Sequence, residues 1–402
     1  MQTRLLATVI TMLLATAISS TFIAAAEAAP SAAVPVAAQP RSASLTFGSN
    51  QPSVVYGSGI VLTGQLTPAV AGSLLIEGAD GQGGWSLVAA TTTDGAGQYN
   101  TTFQPLKSQV LRARMADNSA ISTVFAQSVT PMLTITKLAP APAFVGSLLV
   151  GRVSPAGWRG KIKISVSYAG RVRATVTVRP AANGKLRVTV PNAGVGRLLV
   201  GISLPSANEL SARVAITSVR ATTRPLSQGS RGADVRALMA HLRYLNYHVP
   251  GLRTRYDFPA SEVVLAFRKV HGLKRTYNVD QALWRSIAKA SPERPQFASP
   301  ALHIEVNKAR QYLMVVKNGN VQGIIHVSTG ATGNTPLGKF SIYQKGGSHL
   351  FKFMAFHANF GIHGYVPVPA FPASHGCVRE PMWAAAWTSS LVTVGTRVYV
   401  YR

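Results

Sequence analysis

The pattern of apolar and polar positions divides the chain into regions of different character. From about residue 43 to 221, short apolar runs such as 54–55, 60–62 and 74–76 are broken repeatedly by Gly, Pro and Asn. Short runs rich in Val, Ile and Leu between turn residues are typical of β-strands. This region is therefore predicted to be all-β.

The β-rich region repeats itself. Gly64 and Pro68 recur as Gly151 and Pro155, each 87 residues later, and the Leu111 strand recurs with the same offset. Strand spacing of this kind predicts two tandem β-sandwiches of immunoglobulin-like type, 43–130 and 131–221. The Cys–Trp hallmark of antibody domains is missing. Because neither repeat carries a catalytic cluster, we interpret both as a spacer or adhesive region.

Between residues 226 and 290, the apolar residues follow the spacing of helices and no longer that of short strands. Apolar residues recur at helical spacing in 234–246 and again in 261–270, where Gly272 is placed to cap the second helix. Asp280 is placed to cap a third, short helix. The segment predicts a small three-helix bundle, and the proline-containing stretch 291–299 predicts a linker.

The short apolar runs that are typical of β-strands resume after Pro300. Apolar strands are predicted at 303–306, 311–316 and 323–328, and the dipeptide Asn318-Gly319 indicates a tight hairpin between the last two. A helix near 381–390 and a closing strand at 396–401 complete the pattern. We therefore expect a mainly β domain over 298–402, so that the fold class of the chain is multidomain and mostly β.

The N-terminus has the features of an export signal. Arg4 precedes the uncharged stretch 5–26, and small residues surround a cleavage point after Ala28. The apolar run is also about as long as a membrane span, so an uncleaved anchor is the alternative. Residues 29–42 are predicted to be a flexible linker. The protein is expected outside the cytoplasmic membrane, in the cell wall.

The charge of the chain indicates an anionic partner. Lys and Arg number 40 against 13 Asp and Glu, for a net charge of +27. Nucleic acid is the ordinary partner of so basic a chain, but export argues against it. Wall polymers that bear carboxylates or phosphates are the better expectation, and membrane contact is expected only if the N-terminal segment stays uncleaved.

The chemistry is concentrated near the C-terminus. Cys377 is the only cysteine, and it follows Ser374, His375 and Gly376. A lone cysteine is often a small buried apolar residue, but an exported unpaired thiol beside histidines suggests a nucleophile activated by an imidazole base. His363 lies in a second His–Gly pair upstream. These residues predict a Cys–His acyl-transfer centre.

The few acids of this domain exclude other mechanisms. Only Glu305 and Glu380 occur after residue 300, so neither an acid-containing triad nor a paired-carboxylate site is expected. His363 is then most simply oriented by a main-chain carbonyl. A zinc site of histidines and Cys377 is the competing interpretation, but it lacks a carboxylate base. We predict no metal and no cofactor.

These motifs resemble the signature of the L,D-transpeptidase family, the cysteine enzymes that cross-link bacterial peptidoglycan. The resemblance covers about 300–402 and rests on His363-Gly364, on 374–379 with the sequence Ser-His-Gly-Cys-Val-Arg, on 328–330 and on 335–340. The spacer between the two histidine motifs is shorter than in many members. The resemblance implies attack on the stem peptide of peptidoglycan, with release of D-alanine and transfer to an amine of a neighbouring stem.

The same resemblance implies the role of each residue. Cys377 would be the nucleophile and His363 the general base, while His375 and Ser374 support them and the backbone N–H groups of Gly376 and Cys377 form the oxyanion hole. The expected substrate-binding residues are Arg379, Tyr365, Phe360 and Gly364, although for Arg379 the favoured alternative is a structural role in holding a loop.

The helical segment resembles the peptidoglycan-binding domain found beside many wall enzymes. The resemblance rests on 229–235, with the sequence Gly-Ser-Arg-Gly-Ala-Asp-Val, and on 266–273, where Arg268 stands at a position commonly occupied by Gln. Stem peptides and glycan are thus the expected partners. The alternative functions are a carboxypeptidase that uses water as acceptor, a non-catalytic wall-binding protein and a cysteine endopeptidase of stem peptides.

Overall fold

A computed structural model describes residues 42–79 and 83–402. The predicted signal segment 1–28 and the linker up to residue 41 lie outside these residues. The chain divides into two units, 1–42 and 43–402, and only the second is described below. Within the described ranges, no helix is both long and apolar enough to cross a membrane.

The first repeat forms two sheets. One sheet places β4 between the short strands β1 and β2 on one side and β7 on the other, and the second sheet has the order β3-β9-β8-β5-β6. Their inward residues, among them Leu62, Leu74 and Leu111, are completely buried. The strands are β1 (Ser44–Leu45), β2 (Gly48–Ser49), β3 (Ser53–Val55), β4 (Ile60–Thr67), β5 (Gly72–Ala79), β6 (Trp85–Thr93), β7 (Gln98–Phe103), β8 (Gln109–Met115) and β9 (Phe125–Thr130).

The second repeat has the same plan. Its sheets have the orders β10-β12-β15 and β11-β17-β16-β13-β14, and Leu149, Ile164 and Val200 are completely buried. The strands are β10 (Met132–Leu138), β11 (Ala141–Pro142), β12 (Ser147–Ser154), β13 (Ile162–Tyr168), β14 (Arg171–Val178), β15 (Lys185–Val190), β16 (Gly196–Leu204) and β17 (Arg213–Thr222).

The register of the strands reproduces the offset seen in the sequence. Gly64 pairs with Tyr99 in the first repeat, and Gly151 pairs with Leu186 in the second. A Cβ at Gly64 would lie 2.0 Å from the carbonyl oxygen of Thr46, and one at Gly151 would lie 2.4 Å from a carbonyl of the adjacent strand. Both glycines recur because a neighbouring backbone passes too close for any side chain.

The helical module contains α1 (Ala233–Tyr244), α2 (Phe258–Val270) and α3 (Gln281–Lys289). Asp280 caps α3 by accepting the Leu283 N–H, as its position in the sequence predicts. Gly272 follows α2 with a φ of 64°, and the Leu273 N–H donates to the Arg268 carbonyl. This pair forms the glycine C-cap that the sequence indicates.

Side chains join the successive modules of this unit. Lys107 forms a salt bridge of 3.1 Å with Glu209, which connects the first repeat to the second. Phe144 of the second repeat stacks on His241 of α1, with ring centroids 4.0 Å apart. The repeats are therefore attached to each other and to the helical module through specific contacts.

The C-terminal domain consists of two sheets and one helix. Its sheets have the orders β20-β19-β18-β26-β21 and β22-β23-β24-β25. Asn318 and Gly319, both with positive φ, form the tight turn between β19 and β20. The elements are β18 (Leu302–Asn307), β19 (Tyr312–Lys317), β20 (Asn320–His326), β21 (Gly338–Ser341), β22 (Gln344–Lys345), β23 (Phe351–His357), β24 (Phe360–Tyr365), β25 (Val378–Pro381), α4 (Met382–Leu391) and β26 (Arg397–Tyr401).

The helix α2 is buried between the helical module and this domain. Its Lys269 Nζ donates to the Val327 carbonyl at 2.7 Å, and Glu262 accepts a 2.6 Å hydrogen bond from the Trp383 indole of α4. Burial lowers the pKa of Lys269 well below its usual range and raises that of Glu262 to about 7. His326 of β20 lies 3.4 Å from Glu262, and burial keeps this imidazole neutral by lowering its pKa.

This buried polar cluster joins the helical module to the C-terminal domain. We therefore expect its disruption to destabilise both modules. Replacing Lys269 by Ala removes a completely buried stem and leaves the Val327 carbonyl unpaired, so we expect unfolding to become easier by about 2–5 kcal/mol. Lys269→Met, which keeps the stem, should cost about 1–3 kcal/mol. Denaturant unfolding followed by Trp fluorescence measures both.

The control is Lys289→Ala on the exposed face of α3, which should change stability by less than about 0.5 kcal/mol. A loss in Lys269→Ala no greater than in this control would show that the cluster does not hold the modules together.

Candidate active site

Two neighbouring parallel strands connect the predicted base with the turn that carries the predicted nucleophile. Strands β24 and β25 pair in parallel, with Ile362 opposite Val378 and His363 opposite Arg379. Cys377 directly precedes β25, two positions before Arg379. Cys377 lies in the bend before β25, so the strand that pairs with His363 begins directly after the predicted nucleophile.

His363 is held in one orientation by the main chain. Its Nδ1 lies 3.0 Å from the Gly364 carbonyl oxygen, an acceptor, so the ring proton is assigned to Nδ1 and Nε2 keeps its lone pair. Burial lowers the pKa of His363, the bond to Gly364 opposes this, and the charges of Arg379 and His349 lower it further. The imidazole is therefore neutral at pH 7, which is the form a general base requires.

Gly364 must be a glycine for packing reasons. A Cβ there would lie 2.7 Å from the Phe351 ring and 2.9 Å from the Met382 sulfur. Gly364 thus acts through its carbonyl and its small size, which was not apparent when it was predicted to contact substrate.

Ser374 closes the turn that carries the cysteine. Its Oγ donates to the Cys377 carbonyl at 2.6 Å and accepts the Gly376 N–H at 3.1 Å. The side chain is buried. Ser374 therefore supports the backbone, and the Gly376 N–H, which was expected to face an oxyanion, is already engaged within the turn.

Two residues of the preceding loop hold the carbonyls of the same turn. Thr335 Oγ1 donates to the Gly376 carbonyl at 2.7 Å, and Asn334 donates to the His375 carbonyl at 2.6 Å. The C=O and N–H of one trans peptide point in opposite directions. Because the Gly376 carbonyl points at Thr335, the Cys377 N–H points away from it.

Thr335 is expected to matter only as part of the family pattern at 335–340, and Asn334 has no predicted role. The Thr-Pro pair at 335–336 was the available signal, but the bond to Gly376 joins residues 41 positions apart, and a single sequence does not reveal such a contact.

Gly376 itself occupies backbone space that favours glycine. Its φ is +137°, and a Cβ would lie 2.3 Å from the Phe360 ring. Phe360 thus packs directly against the nucleophile turn. The Cys377 thiol forms no disulfide and is half-buried, and its Sγ donates a long hydrogen bond of 3.9 Å to the Asn359 carbonyl oxygen.

Residues 301–400 match the family model YkuD, described as the L,D-transpeptidase catalytic domain. Residues 301–400 form an L,D-transpeptidase catalytic domain. The match leaves the preceding modules unassigned, and no curated protein matches the chain.

Several solved structures are similar to parts of the chain. An L,D-transpeptidase fragment from Xylanimonas cellulosilytica is 28% identical, with 45% of this chain and 98% of that one covered and a TM-score of 0.42. An Enterococcus faecium L,D-transpeptidase mutant is 22% identical over 30% and 62% of the two chains, with a TM-score of 0.24. An L,D-transpeptidase from Mycobacterium smegmatis is 11% identical over 67% and 100%, with a TM-score of 0.24.

Arg379 supports the loop beside the site. Its Nη1 donates to the Ala373 carbonyl at 3.0 Å, and its guanidinium lies 4.1 Å above the ring of Tyr365. The backbone of Arg379 also exchanges hydrogen bonds with Ser328 of the 328–330 motif. Arg379 and Tyr365 thus form one stacked pair at the edge of the transpeptidase site.

The loop 366–373 is held from three directions. Ser328 Oγ donates to the Phe371 carbonyl at 2.7 Å, Arg379 holds Ala373, and Arg275 donates to the Ala370 carbonyl at 3.0 Å. Arg275 belongs to the loop between α2 and α3, so the helical module directly contacts a loop of the transpeptidase domain. Sequence reasoning had treated these modules separately and assigned Arg275 no role.

The two acids of this domain have structural partners, and its other histidines near the site are exposed. Glu305 accepts the N–H groups of Gln296 and Phe297, which ties the linker to β18. Burial raises the pKa of Glu380 to about 8, and its carboxyl accepts the Thr388 hydroxyl. His375, His349 and His357 are exposed, and in the ranges 42–79 and 83–402 no group of three His, Cys, Asp or Glu side chains is arranged for metal binding.

The bond from Thr335 to the turn predicts an effect on turnover. Thr335→Val keeps the shape but removes the hydroxyl that holds the Gly376 carbonyl, so the Cys377 N–H loses its fixed direction. If that N–H binds the oxyanion, kcat should fall by about 10²- to 10³-fold. Turnover of a soluble stem peptide measures it.

Thr388→Val is the matched control, because it removes another buried threonine hydroxyl that binds Glu380. Both variants should lose stability, but Thr388→Val should keep most of its kcat. Equal turnover in the two variants would show that the bond from Thr335 to the Gly376 carbonyl is not needed for catalysis.

Proposed function

We propose that the protein is an exported L,D-transpeptidase that uses Cys377 as its nucleophile and His363 as its general base. The observation that supports this most strongly is the His363 ring, which the Gly364 carbonyl orients on the strand that pairs with the one directly after Cys377. The family match over 301–400 indicates peptidoglycan cross-linking as the activity.

The first half-reaction forms a thioester. His363 Nε2 takes the proton of the Cys377 thiol, and Sγ attacks the carbonyl of the third residue of a donor stem peptide. The Cys377 N–H binds the developing oxyanion. As the tetrahedral intermediate collapses, the bond to D-alanine breaks, and His363 returns the proton to the departing amine.

The second half-reaction transfers the acyl group. The side-chain amine of a neighbouring stem attacks the thioester carbonyl, and His363 accepts a proton from that amine. The C–S bond then breaks, Cys377 recovers the proton as a thiol, and a cross-link between third residues results. Water in place of the amine would yield a carboxypeptidase reaction.

The exposed apolar residues beside the site form a surface for the substrate. Val366 and Phe371 of the loop 366–373 are 68% and 62% exposed, and Tyr365 is 38% exposed. Together with Phe360, they provide apolar contact for the stem peptide, while His375 is exposed at the turn and polarises the site from outside.

The helical module contributes to placement on the wall. At the position where the peptidoglycan-binding family commonly has Gln, Arg268 is buried and donates to the Asn278 carbonyl at 2.8 Å and to Asp280 at 3.1 Å. This residue therefore supports the module rather than a ligand. We propose that stem peptides and glycan bind along its exposed surface and the adjoining transpeptidase domain.

The test is an assay on isolated tetrapeptide stems with mass detection of products. Cys377→Ala should abolish product and keep the fold. His363→Ala should lose about 10²- to 10⁴-fold in rate, the usual contribution of a general base, and His375→Ala should lose less.

The products also separate the alternatives. Cross-linked dimer identifies a transpeptidase, loss of D-alanine alone a carboxypeptidase, cleavage between earlier residues an endopeptidase, and no product a wall-binding protein. Product from Cys377→Ala, or a larger loss in His375→Ala than in His363→Ala, would contradict the assignment of roles.

A further inference from the structure

The two sandwich repeats share one fold but differ greatly in charge. Residues 43–130 contain three Lys and Arg against four Asp and Glu, whereas 131–221 contain thirteen Lys and Arg and one acid, Glu209. Glu209 already pairs with Lys107 of the first repeat. The second repeat thus carries a net charge of +12 with no free acid to balance it.

Four of these cations share the outer face of the sheet β10-β12-β15. Arg152 lies directly opposite Lys185, while Arg187 and Lys137 lie on either side of Val150. All four cations are exposed. Neighbouring positions on such a face are about 5 Å apart across strands and about 7 Å apart along them, so the four charges form one compact cluster.

The first repeat has uncharged residues at the equivalent positions. With the offset of 87, Arg152 and Lys185 correspond to Gln65 and Gln98, and this pair has the same cross-strand register. Arg187 corresponds to Asn100, and the residue that pairs with Thr63, as Lys137 pairs with Val150, is Gly48. The fold therefore does not require cations on this face, since three amides and a glycine occupy these sites in the other repeat.

The cluster also opposes folding. Like charges directly opposite on paired strands destabilise a sheet, and the Arg152 guanidinium makes only a 3.4 Å contact with the Asn183 carbonyl. A bound polyanion would neutralise this repulsion. Arg adds the planar, bidentate geometry that suits phosphate groups.

We propose that the outer face of β10-β12-β15 binds a linear phosphodiester polymer of the cell wall. The choice of a wall polymer over nucleic acid rests on the proposed function in the wall, while the site itself rests on charge complementarity. Binding at this face would attach the second repeat to the wall and leave the transpeptidase domain, which is a separate part of the chain, free to act on stem peptides.

The test uses the full chain and a fluorescent poly(glycerol phosphate), with binding measured at several salt concentrations. The variant K137N/R152Q/K185Q/R187N removes all four charges and carries the amides of the first repeat at 152, 185 and 187. We expect its affinity to fall at least about tenfold at 0.1 M salt. The slope of the logarithm of its binding constant against the logarithm of the salt concentration should become shallower by about 3. Each lost phosphate contact removes about 0.7 from this slope for a flexible strand.

The matched control neutralises four exposed cations of the same repeat that lie away from this face. K163Q/R179Q/R197Q/R220Q lowers the net charge by the same amount, and it should keep its affinity within about threefold. In the opposite direction, Q65R/Q98K/N100R creates the cluster on the first repeat and should raise the affinity.

Three results would overturn the proposal: equal losses in the two fourfold variants, tighter binding of duplex DNA or polyglutamate than of poly(glycerol phosphate), or no binding by the unmodified chain. Transpeptidation of soluble stems by the same variants is measured in parallel. An inactive protein that still binds would contradict only the proposed function, and an active protein that does not bind would contradict only this site.

Discussion

The parallel pairing of β24 with β25 is the constraint on which the proposed catalytic arrangement depends. It places His363 opposite Arg379, the second residue after Cys377. Hydrogen bonds around the two strands hold the imidazole and the turn before β25 in place. The Gly364 carbonyl fixes the ring, and Thr335 and Ser374 fix the peptides around Gly376. A shift of one residue between these strands would turn Arg379 to the opposite face of the sheet and displace the bend that carries Cys377.

The helical module is part of the support of this arrangement. The buried helix α2 donates from Lys269 to Val327, the residue before Ser328, and Ser328 in turn pairs with Arg379. Arg275 holds the loop 366–373 from the same module. The contacts therefore run continuously from the helical module to the strand that follows the nucleophile. A separate wall-binding domain on a free linker would lack such contacts.

The features that sequence could predict are those determined by a few adjacent residues. Asn318 and Gly319 form the hairpin turn, Asp280 and Gly272 cap helices, and α4 begins at Met382, close to the predicted 381. The period of the two repeats was visible because glycines recur where strands approach closely. The mostly β, multidomain fold and the L,D-transpeptidase domain at 301–400 are confirmed.

The features that sequence could not predict depend on contacts between distant residues. The Gly376 N–H is engaged by Ser374, and the Asn334 and Thr335 bonds to the turn arise only when two loops meet. Burial of Lys269, Glu262 and His326 at one interface was equally hidden, because α2 has an ordinary amphipathic pattern with a few charges. The roles of the predicted site residues stay predictions.

The central claim is that Cys377 carries the acyl group of the donor during the reaction. Mixing the protein with a donor tetrapeptide without an acceptor, quenching in acid and measuring the intact mass tests it directly. The account predicts an added mass equal to the donor without its terminal D-alanine, located on Cys377 by peptide mapping and missing in Cys377→Ser. Turnover of the donor with no such adduct at any time, or with the adduct on another residue, would contradict it.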